Sequence, residues 1–370
     1  MNSGNESQTC RWGILSTATI GQKNWQAINL SGNGKLVAVA SRNASSCAKF
    51  IAQCQAAVPF KQPPRVIEGY EQLLTADDID AVYIPLPTGL RKQWVIRAAE
   101  SGKHVLCEKP CASSLSDLQE MVDACKRNNV QFMDGIMYMH SRRLQQVRTA
   151  LDSRIGEIRR IATQFSFFGD QEFGNANIRT NSQLEPFGCL GDLGWYTIRF
   201  ALWALNYKMP TRVYGRMLNS YQRDDSPNAV PMEIECGLHF DNGVTATFYN
   251  SFITGHQQWA HVSGTKGSVF IPDFVLPYSS DQTRFSIVNS EFVVKDCKFS
   301  MIENRDEVEI AEPGDSDVNS QETNLFRNFG NIVVEGKLDH HWPEIALLTQ
   351  RVMDACYDSA TNDGKSIELS

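Results

Sequence analysis

The sequence predicts an α/β domain built on a parallel sheet, followed by an α+β domain with a large, mainly antiparallel sheet. Two patterns point there. Strand and helix signals alternate from residue 11 to about 135, and from 136 onward long β-rich stretches replace them. Length agrees: 370 residues exceed what one hydrophobic core usually serves, so two domains are the default.

In the first region the apolar run Trp12 to Leu15 reads as a strand, and Ile20 to Leu30 as a helix that Gly32 and Gly34 terminate. Leu36 to Ala40 is a second strand and the alanine-rich Ala44 to Ala57 a helix. Further strands are expected at Arg65–Ile67, Ala81–Leu86, Val105–Cys107 and Gln131–Met133, with helices at Leu90–Glu100 and Ser116–Arg127. Strands separated by helices of this length pair in parallel through right-handed crossovers. The polar start, Met1 to Cys10, lacks a signal-peptide core and reads as a disordered lead-in. The expected division is therefore 1–10 lead-in, 11–135 nucleotide-binding domain and 136–370 substrate and oligomerisation domain.

In the second region Ile158–Phe168, Arg212–Met217, Ile234–Phe240, Val244–Phe252, Ser268–Ile271 and Phe285–Val294 read as strands. Asp241-Asn242-Gly243 has the chemistry of a tight hairpin turn. One helix is expected inside this region, Asp192 to Asn206, and one near its end, Pro343 to Ser359; the acidic stretch 304–322 reads as an exposed loop.

Composition narrows function. A net charge of −7 leaves no electrostatic footprint for nucleic acid or anionic lipid, and no apolar run reaches the ~18 residues of a membrane span. The ten cysteines are scattered, mostly within apolar stretches, as buried reduced thiols of a cytoplasmic protein are. No Cys-x2-Cys pair exists and His340-His341 are adjacent, so no metal is expected. Asn5-Glu6-Ser7 and Asn43-Ala44-Ser45 match the glycosylation pattern, without meaning in that compartment.

Three motifs carry chemistry. Ser16-Thr17-Ala18-Thr19-Ile20-Gly21, between the first strand and helix, has Gly-x-Gly-x-x-Gly spacing with serine and alanine in the first two glycine places. Small residues there let backbone amides at a helix N-terminus approach a pyrophosphate, although a plain strand–helix turn looks similar. The second strand ends at Ser41-Arg42, and no Asp or Glu occurs between Glu6 and Glu68. A carboxylate for the ribose hydroxyl of NAD is missing there, whereas an arginine fork suits the 2′-phosphate of NADP; the alternative is a solvated arginine at a strand end. Third, Glu108-Lys109-Pro110 follows the fifth strand, at the sheet end where open α/β sheets bind ligands. A surface lysine in an ordinary turn is the other reading. Farther on, Gly188-Cys189-Leu190-Gly191-Asp192-Leu193-Gly194-Trp195-Tyr196 opens a helix that places Asp192 and Tyr196 four apart on one face. A helix-capping aspartate and a core tyrosine would look alike.

Glu108-Lys109-Pro110 followed at this distance by a glycine-rich Asp-x-x-x-Tyr resembles the Gfo/Idh/MocA oxidoreductases, in the branch of dihydrodiol and NADP-dependent xylose dehydrogenases. The likeness runs from Arg11-Trp12-Gly13 through Gly264-Thr265-Lys266-Gly267 to Trp342-Pro343-Glu344. It implies a Rossmann first domain, NADP(H), and hydride transfer between nicotinamide and a sugar, polyol, diol or related cyclic alcohol or ketone. It further implies Lys109, Tyr196 and Asp192 as catalytic residues, and Tyr138, Arg179 and Asp192 against substrate. Cofactor contacts are implied for Ser16, Thr17, Ala18, Thr19, Ile20, Ser41, Arg42, Pro85, Pro87, Glu108 and Lys109. Relatives frequently carry histidine where this chain has Arg91, which leaves open whether Arg91 touches cofactor. A homodimer or larger homo-oligomer is implied too. Two other functions fit such a chain: a cofactor-binding regulator without turnover, and a ketone or imine reductase of specialised metabolism. Phe165, Phe167, Phe168, Trp195 and Trp259 would suit the latter.

Overall fold

The structure, a computed structural model, describes residues 9–369; the greater part of the expected lead-in, with Asn5-Glu6-Ser7, lies outside them. Cys10 does not belong to a lead-in, because it opens the first strand and is fully buried. In chain order the first elements are β1 (Cys10–Leu15), α1 (Ile20–Leu30), β2 (Gly34–Ser41), α2 (Ala44–Ala57), β3 (Arg65–Glu68) and α3 (Tyr70–Leu74). There follow β4 (Ala81–Ile84), α4 (Thr88–Glu100), β5 (His104–Cys107), α5 (Leu115–Arg127), β6 (Phe132–Asp134), α6 (Arg142–Ser153), β7 (Ile158–Phe168), α7 (Gln171–Ala176) and α8 (Trp195–Ala204). The remainder is β8 (Arg212–Tyr221), β9 (Val230–His239), β10 (Thr245–Ser251), β11 (Ile253–Gly264), β12 (Ser268–Ile271), β13 (Thr283–Lys295), β14 (Lys298–Ile310), α9 (Gln321–Glu335), α10 (His341–Thr361) and β15 (Ile367–Glu368).

The chain forms two compact units. One comprises Met1–His140 with Ser316–Leu347, the other Ser141–Asp315 with Leu348–Ser370. The expected boundary near 135 therefore omits a returning segment that carries α9.

The first unit holds a six-stranded sheet of order β3-β2-β1-β4-β5-β6, parallel at every pairing. Its crossover helices start where the sequence supplies caps: the Asn43 side chain accepts from the Ser46 amide at 2.9 Å, and Ser114 from that of Asp117 at 3.1 Å. Trp12, completely buried, centres the core. Phe326 and Phe329 of α9 each lie 5.1 Å from its ring centroid, so the last part of this core comes from the far end of the chain.

The second unit is a nine-stranded sheet of order β14-β13-β12-β11-β7-β10-β9-β8-β15. Only β7 and β10 pair in parallel; the other contacts are antiparallel. Asp241-Asn242-Gly243 closes the β9–β10 hairpin, with Gly243 at φ 79°. Every residue of α8 is buried against one sheet face, among them Trp195, Ile198 and Phe200. The opposite face is half-open and presents Trp259, Gln164 and Tyr249 in one cross-strand row, with Phe270, His261 and Thr247 in the next.

Several elements depart from expectation. The stretch 304–310 is strand, not loop: its alternating charges lie on β14, paired residue by residue with β13 in a ribbon whose outer part is solvated on both sides. Without a buried face there is no hydrophobic alternation to reveal it. β11, α6 and α9 also went unanticipated. β11 is interrupted by a register shift between Ile253 and Gln257, which spoils its period of two. In α6, arginines and glutamines dilute the apolar stripe of Leu144, Val147 and Leu151.

Replacing Phe326 with alanine should destabilise the first unit by about 3–5 kcal/mol, the usual cost of emptying a buried phenylalanine site. Urea unfolding followed by tryptophan fluorescence measures this. Phe299→Ala, on the solvated ribbon at 71% exposure, should change the midpoint little. Equal effects of the two would contradict the packing of α9 into this core.

Candidate active site

The loop between β1 and α1 leaves the sheet where strand order reverses, since β1 pairs with β2 on one side and β4 on the other. That reversal opens a crevice at the strands' carboxyl ends. Ser16 sits at φ 134°, a conformation L side chains rarely adopt and one that explains why glycine is common there. Its hydroxyl accepts the Ala18 amide at 3.0 Å, closing the turn locally. Thr17 and Ala18 are half-buried, and Thr19 and Ile20 are exposed. No acidic residue stands in the first turn of α1, so nothing there repels an anion. These features fit a dinucleotide pyrophosphate.

Ser41 is buried at the end of β2, and Arg42 beyond it is exposed. No hydrogen bond or ion pair engages the Arg42 guanidinium among the described residues. Pro85 follows β4 directly and is buried, while Pro87 precedes α4 as its cap residue.

The lysine loop is anchored on both flanks by buried side chains. The Glu108 amide donates to the Ile84 carbonyl at 3.2 Å. Its carboxylate accepts from the Tyr83 hydroxyl at 2.6 Å through Oε1 and from the Lys109 amide at 3.2 Å through Oε2. The Lys109–Pro110 peptide is cis. Arg91, only 4% exposed, donates through Nε to the Leu86 carbonyl at 2.6 Å and through a terminal nitrogen to Thr88 Oγ1 at 3.1 Å. The same nitrogen donates to the Pro110 carbonyl. Arg91 thus spends its donors inside the protein, joining the turns after β4 and β5. Tyr138 lies in a 3₁₀ turn, Met137–His140, after β6 and is buried.

In the second unit, Asp192 occupies a π-helical turn, Leu190–Gly194, that passes into α8 at Trp195. The uninterrupted α-helix expected from Asp192 onward is corrected accordingly. Widened turns of this kind frequently mark functional sites. Glycine is required just ahead of it: Gly188 has φ 47°, and a Cβ there would stand 2.2 Å from the Pro231 carbonyl oxygen. The structure brings Arg179 and Asp192 together, Nε to Oδ2 at 2.7 Å. The Asp192 charge, assisted by that hydrogen bond, holds the Arg179 guanidinium above the ordinary arginine range despite partial desolvation, so it stays cationic. Asn177 steadies the turn by accepting the Arg179 amide at 3.0 Å.

Tyr196 is 6% exposed, with the Phe165 ring edge-on at 5.7 Å. Of the other aromatic candidates, Trp195 is core, Phe168 is 69% exposed, and Phe167 packs on Phe173 and Phe252. Trp259 stands on the half-open sheet face.

Lys109 and the cofactor candidates therefore belong to the first unit, and Arg179, Asp192 and Tyr196 to the second. Sequence reasoning passed over Asn24 and Tyr83, whose side chains hydrogen-bond at 2.6 Å inside the first core. Their signal was available: an asparagine next to Trp25 on a helix's inner face, and a tyrosine in the otherwise aliphatic strand Ala81–Ile84.

Residues 10–136 match the profile of the oxidoreductase family with an NAD-binding Rossmann fold, and residues 144–270 match the Gfo/Idh/MocA C-terminal domain. A D-xylose 1-dehydrogenase (NADP(+)) of Haloferax volcanii is 32% identical over 256 residues, covering 69% of this chain and 74% of that protein. A dTDP-3,4-didehydro-2,6-dideoxy-α-D-glucose 3-reductase of Saccharopolyspora spinosa is 31% identical over 240 residues, 64% of this chain and 66% of its own. Among solved structures, KijD10, a 3-ketoreductase from Actinomadura kijaniata in complex with NADP and TDP-benzene, superposes with a TM-score of 0.78 at 24% identity, covering 95% of this chain and 98% of that one. With both family regions matched in order and the two sheets in place, the chain belongs to the Gfo/Idh/MocA oxidoreductase family.

Proposed function

We propose that this protein is an NADP(H)-dependent dehydrogenase or reductase that interconverts a carbinol and a carbonyl on a sugar, polyol, diol or related cyclic alcohol or ketone. The observation that carries this reading is the pairing of Arg179 with Asp192 one turn before Tyr196, in a family whose first domain ends a strand at Glu108-Lys109-Pro110. An ion-paired arginine beside a phenol is an arrangement for orienting hydroxyls and moving a proton. The named relatives, a xylose dehydrogenase and a sugar 3-ketoreductase, support the substrate class.

Ser16 to Ile20 and the start of α1 would hold the pyrophosphate, Arg42 the 2′-phosphate, and Ser41, Pro85, Pro87 and Glu108 the flanks of the cofactor. When bound, the nicotinamide accepts or supplies the hydride. The rest falls to side chains. Tyr196 takes the substrate hydroxyl proton in oxidation and returns it to the carbonyl oxygen in reduction. A phenol with a reference pKa of ~10 is a poor base near neutrality, and in this reading the Lys109 ammonium supplies the positive charge that stabilises the developing alkoxide. Asp192 keeps Arg179 oriented toward substrate oxygens, and Tyr138 is a further substrate-contacting residue in this reading.

A cytoplasmic setting belongs to this reading: all ten cysteines are unpaired thiols, nine of them buried, as a reducing compartment keeps them. None of the described helices is long and apolar enough to cross a membrane. So does a homodimer or larger homo-oligomer, because the half-open sheet face with Trp259, Tyr249 and Phe270 is the kind of surface a second copy covers. Sedimentation at micromolar concentration should show at least a dimer, and a persistent monomer would remove this part of the reading.

Cofactor choice is tested by titration. NADPH should bind more tightly than NADH, and Arg42→Ala should weaken NADPH alone, by ~1–3 kcal/mol, the scale of a charge-assisted contact. Equal affinity for both cofactors in the unaltered protein would defeat the NADP assignment.

Proton handling is tested on a substrate found by screening aldoses, diols and cyclic ketones. Tyr196→Phe should lower turnover ~10²–10⁴-fold with the fold intact, the range general acid–base groups contribute. Lys109→Ala should collapse turnover while NADPH binding persists, and Asp192→Asn should cost less. The first two losses should not add, since each disables one proton-transfer unit. Near-normal turnover in both single variants would place the chemistry elsewhere.

A further inference from the structure

Tyr83 is fully buried in β4, yet its hydroxyl is engaged on both sides. It accepts from Asn24 Nδ2 at 2.6 Å and donates to Glu108 Oε1 at 2.6 Å. Asn24, 5% exposed, is on α1, and Glu108, 9% exposed, begins the lysine loop. The other Glu108 oxygen receives the Lys109 amide. Space around this carboxylate is tight: a Cβ on Gly135 would come within 3.3 Å of Oε1. Phenylalanine would fill the same volume beside Phe326 in this aromatic core, so packing does not account for the hydroxyl. Burial first, then the Glu108 charge, drives the Tyr83 phenol well above its ordinary value, so it remains a neutral donor.

On the far side of Lys109, the Pro110 carbonyl accepts from Arg91, and Thr88 Oγ1 lies 3.3 Å from the same oxygen. Both anchors arise from one stretch of chain, β4 and the start of α4. The residues immediately before and after Lys109 are therefore tied by buried hydrogen bonds to one continuous stretch of chain, from β4 into α4. The lysine side chain has four rotatable bonds, and these ties hold the backbone position from which it reaches.

We propose that Tyr83 and Arg91 are positioning residues for Lys109, Tyr83 acting through Glu108 and Arg91 through Pro110. The proposal rests on the catalytic reading of Lys109. Neither residue touches substrate in this scheme. Each keeps the ammonium within the narrow range of positions that proton transfer tolerates, where a displacement of about 1 Å can cost ~10²-fold in rate.

The test is a comparison of Tyr83→Phe and Arg91→Lys in two backgrounds, the unaltered protein and Lys109→Ala. With Lys109 present, each should lower kcat ~10-fold or more, move the pH profile of kcat, and leave KM and NADPH affinity within about twofold. In the Lys109→Ala background neither should lower residual kcat further, because the group they position is gone. A second readout needs no turnover: with lysines carrying ¹³C-methyl groups, the Lys109 resonance, assigned by its loss in Lys109→Arg, should shift and broaden in both variants. Unchanged kcat, pH profile and Lys109 resonance, with only a lower urea midpoint, would show a purely structural role and overturn the proposal. Losses of equal size with and without Lys109 would overturn it too. If the unaltered protein turns over no sugar, diol or ketone, the functional reading fails by itself, and the resonance still decides whether the two side chains hold the lysine. Should Tyr83→Phe not fold, Arg91→Lys supplies the same readouts with the positive charge retained.

Discussion

The parallel pairing of β1 with both β2 and β4 is the constraint on which the first unit's chemistry depends. Successive crossovers run outward in one direction from β1 to β3 and in the other from β4 to β6. The turns after β1 and β4 must then part around a crevice, and the turn after β5 lies next in line. Ser16, Pro85 and Lys109 are the residues this geometry delivers to one edge of the sheet. No local propensity of their own would assemble them. The backbone tolerates the arrangement at a cost, visible in Ser16 at φ 134°, where the serine hydroxyl offsets part of the strain by closing on Ala18.

In the second unit an analogous irregularity does the aiming. A side chain at residue 188 would run into the Pro231 carbonyl, and the glycine-rich run accommodates that close backbone approach ahead of the widened turn. Asp192 emerges from that turn with Arg179 already bound to it. The pair costs little to keep charged because each member neutralises the other and Arg179 remains partly hydrated, its side chain 38% exposed. Tyr196, one turn later, sits against Phe165 in a less polar setting. Arg179, from the turn Ile178–Thr180, and Phe165, from β7, thus set a cation and an apolar ring against Asp192 and Tyr196, four residues apart.

Much of this was legible in the residues themselves. The α1 and α2 limits and those of β7 and β12 are where periodicity and turn chemistry put them, because each buries one face and breakers stand at their ends: Ser31-Gly32 after α1, the Asn43 cap before α2, Gly169 after β7 and Pro272 after β12. The family follows from two spaced motifs that no composition argument could supply. What escaped was structure without a periodic signature. β14, along the outer ribbon, buries neither face, the Ile253–Gln257 bulge shifts register, and α9 is recruited to a core whose other members lie hundreds of residues earlier. The role of Arg91 escaped for a related reason. A sequence shows an arginine near a binding turn, but not that three oxygens of the protein already claim its guanidinium.

The return of the chain to its first unit has a consequence for how the protein is made. Domains usually fold as they leave the ribosome, in order, at about 5–20 residues per second. Here the unit that starts first cannot complete its core until Phe326 and Phe329 emerge, after the whole of Ser141–Asp315 has been synthesised. That is a delay of roughly ten seconds or more at those rates. Meanwhile the aromatic surface around Trp12 lacks its cover. Nascent chains of this protein should therefore depend on a holding chaperone longer than their first strands alone would suggest, and circular permutants that bring Ser316–Leu347 next to β1 would be released from that wait.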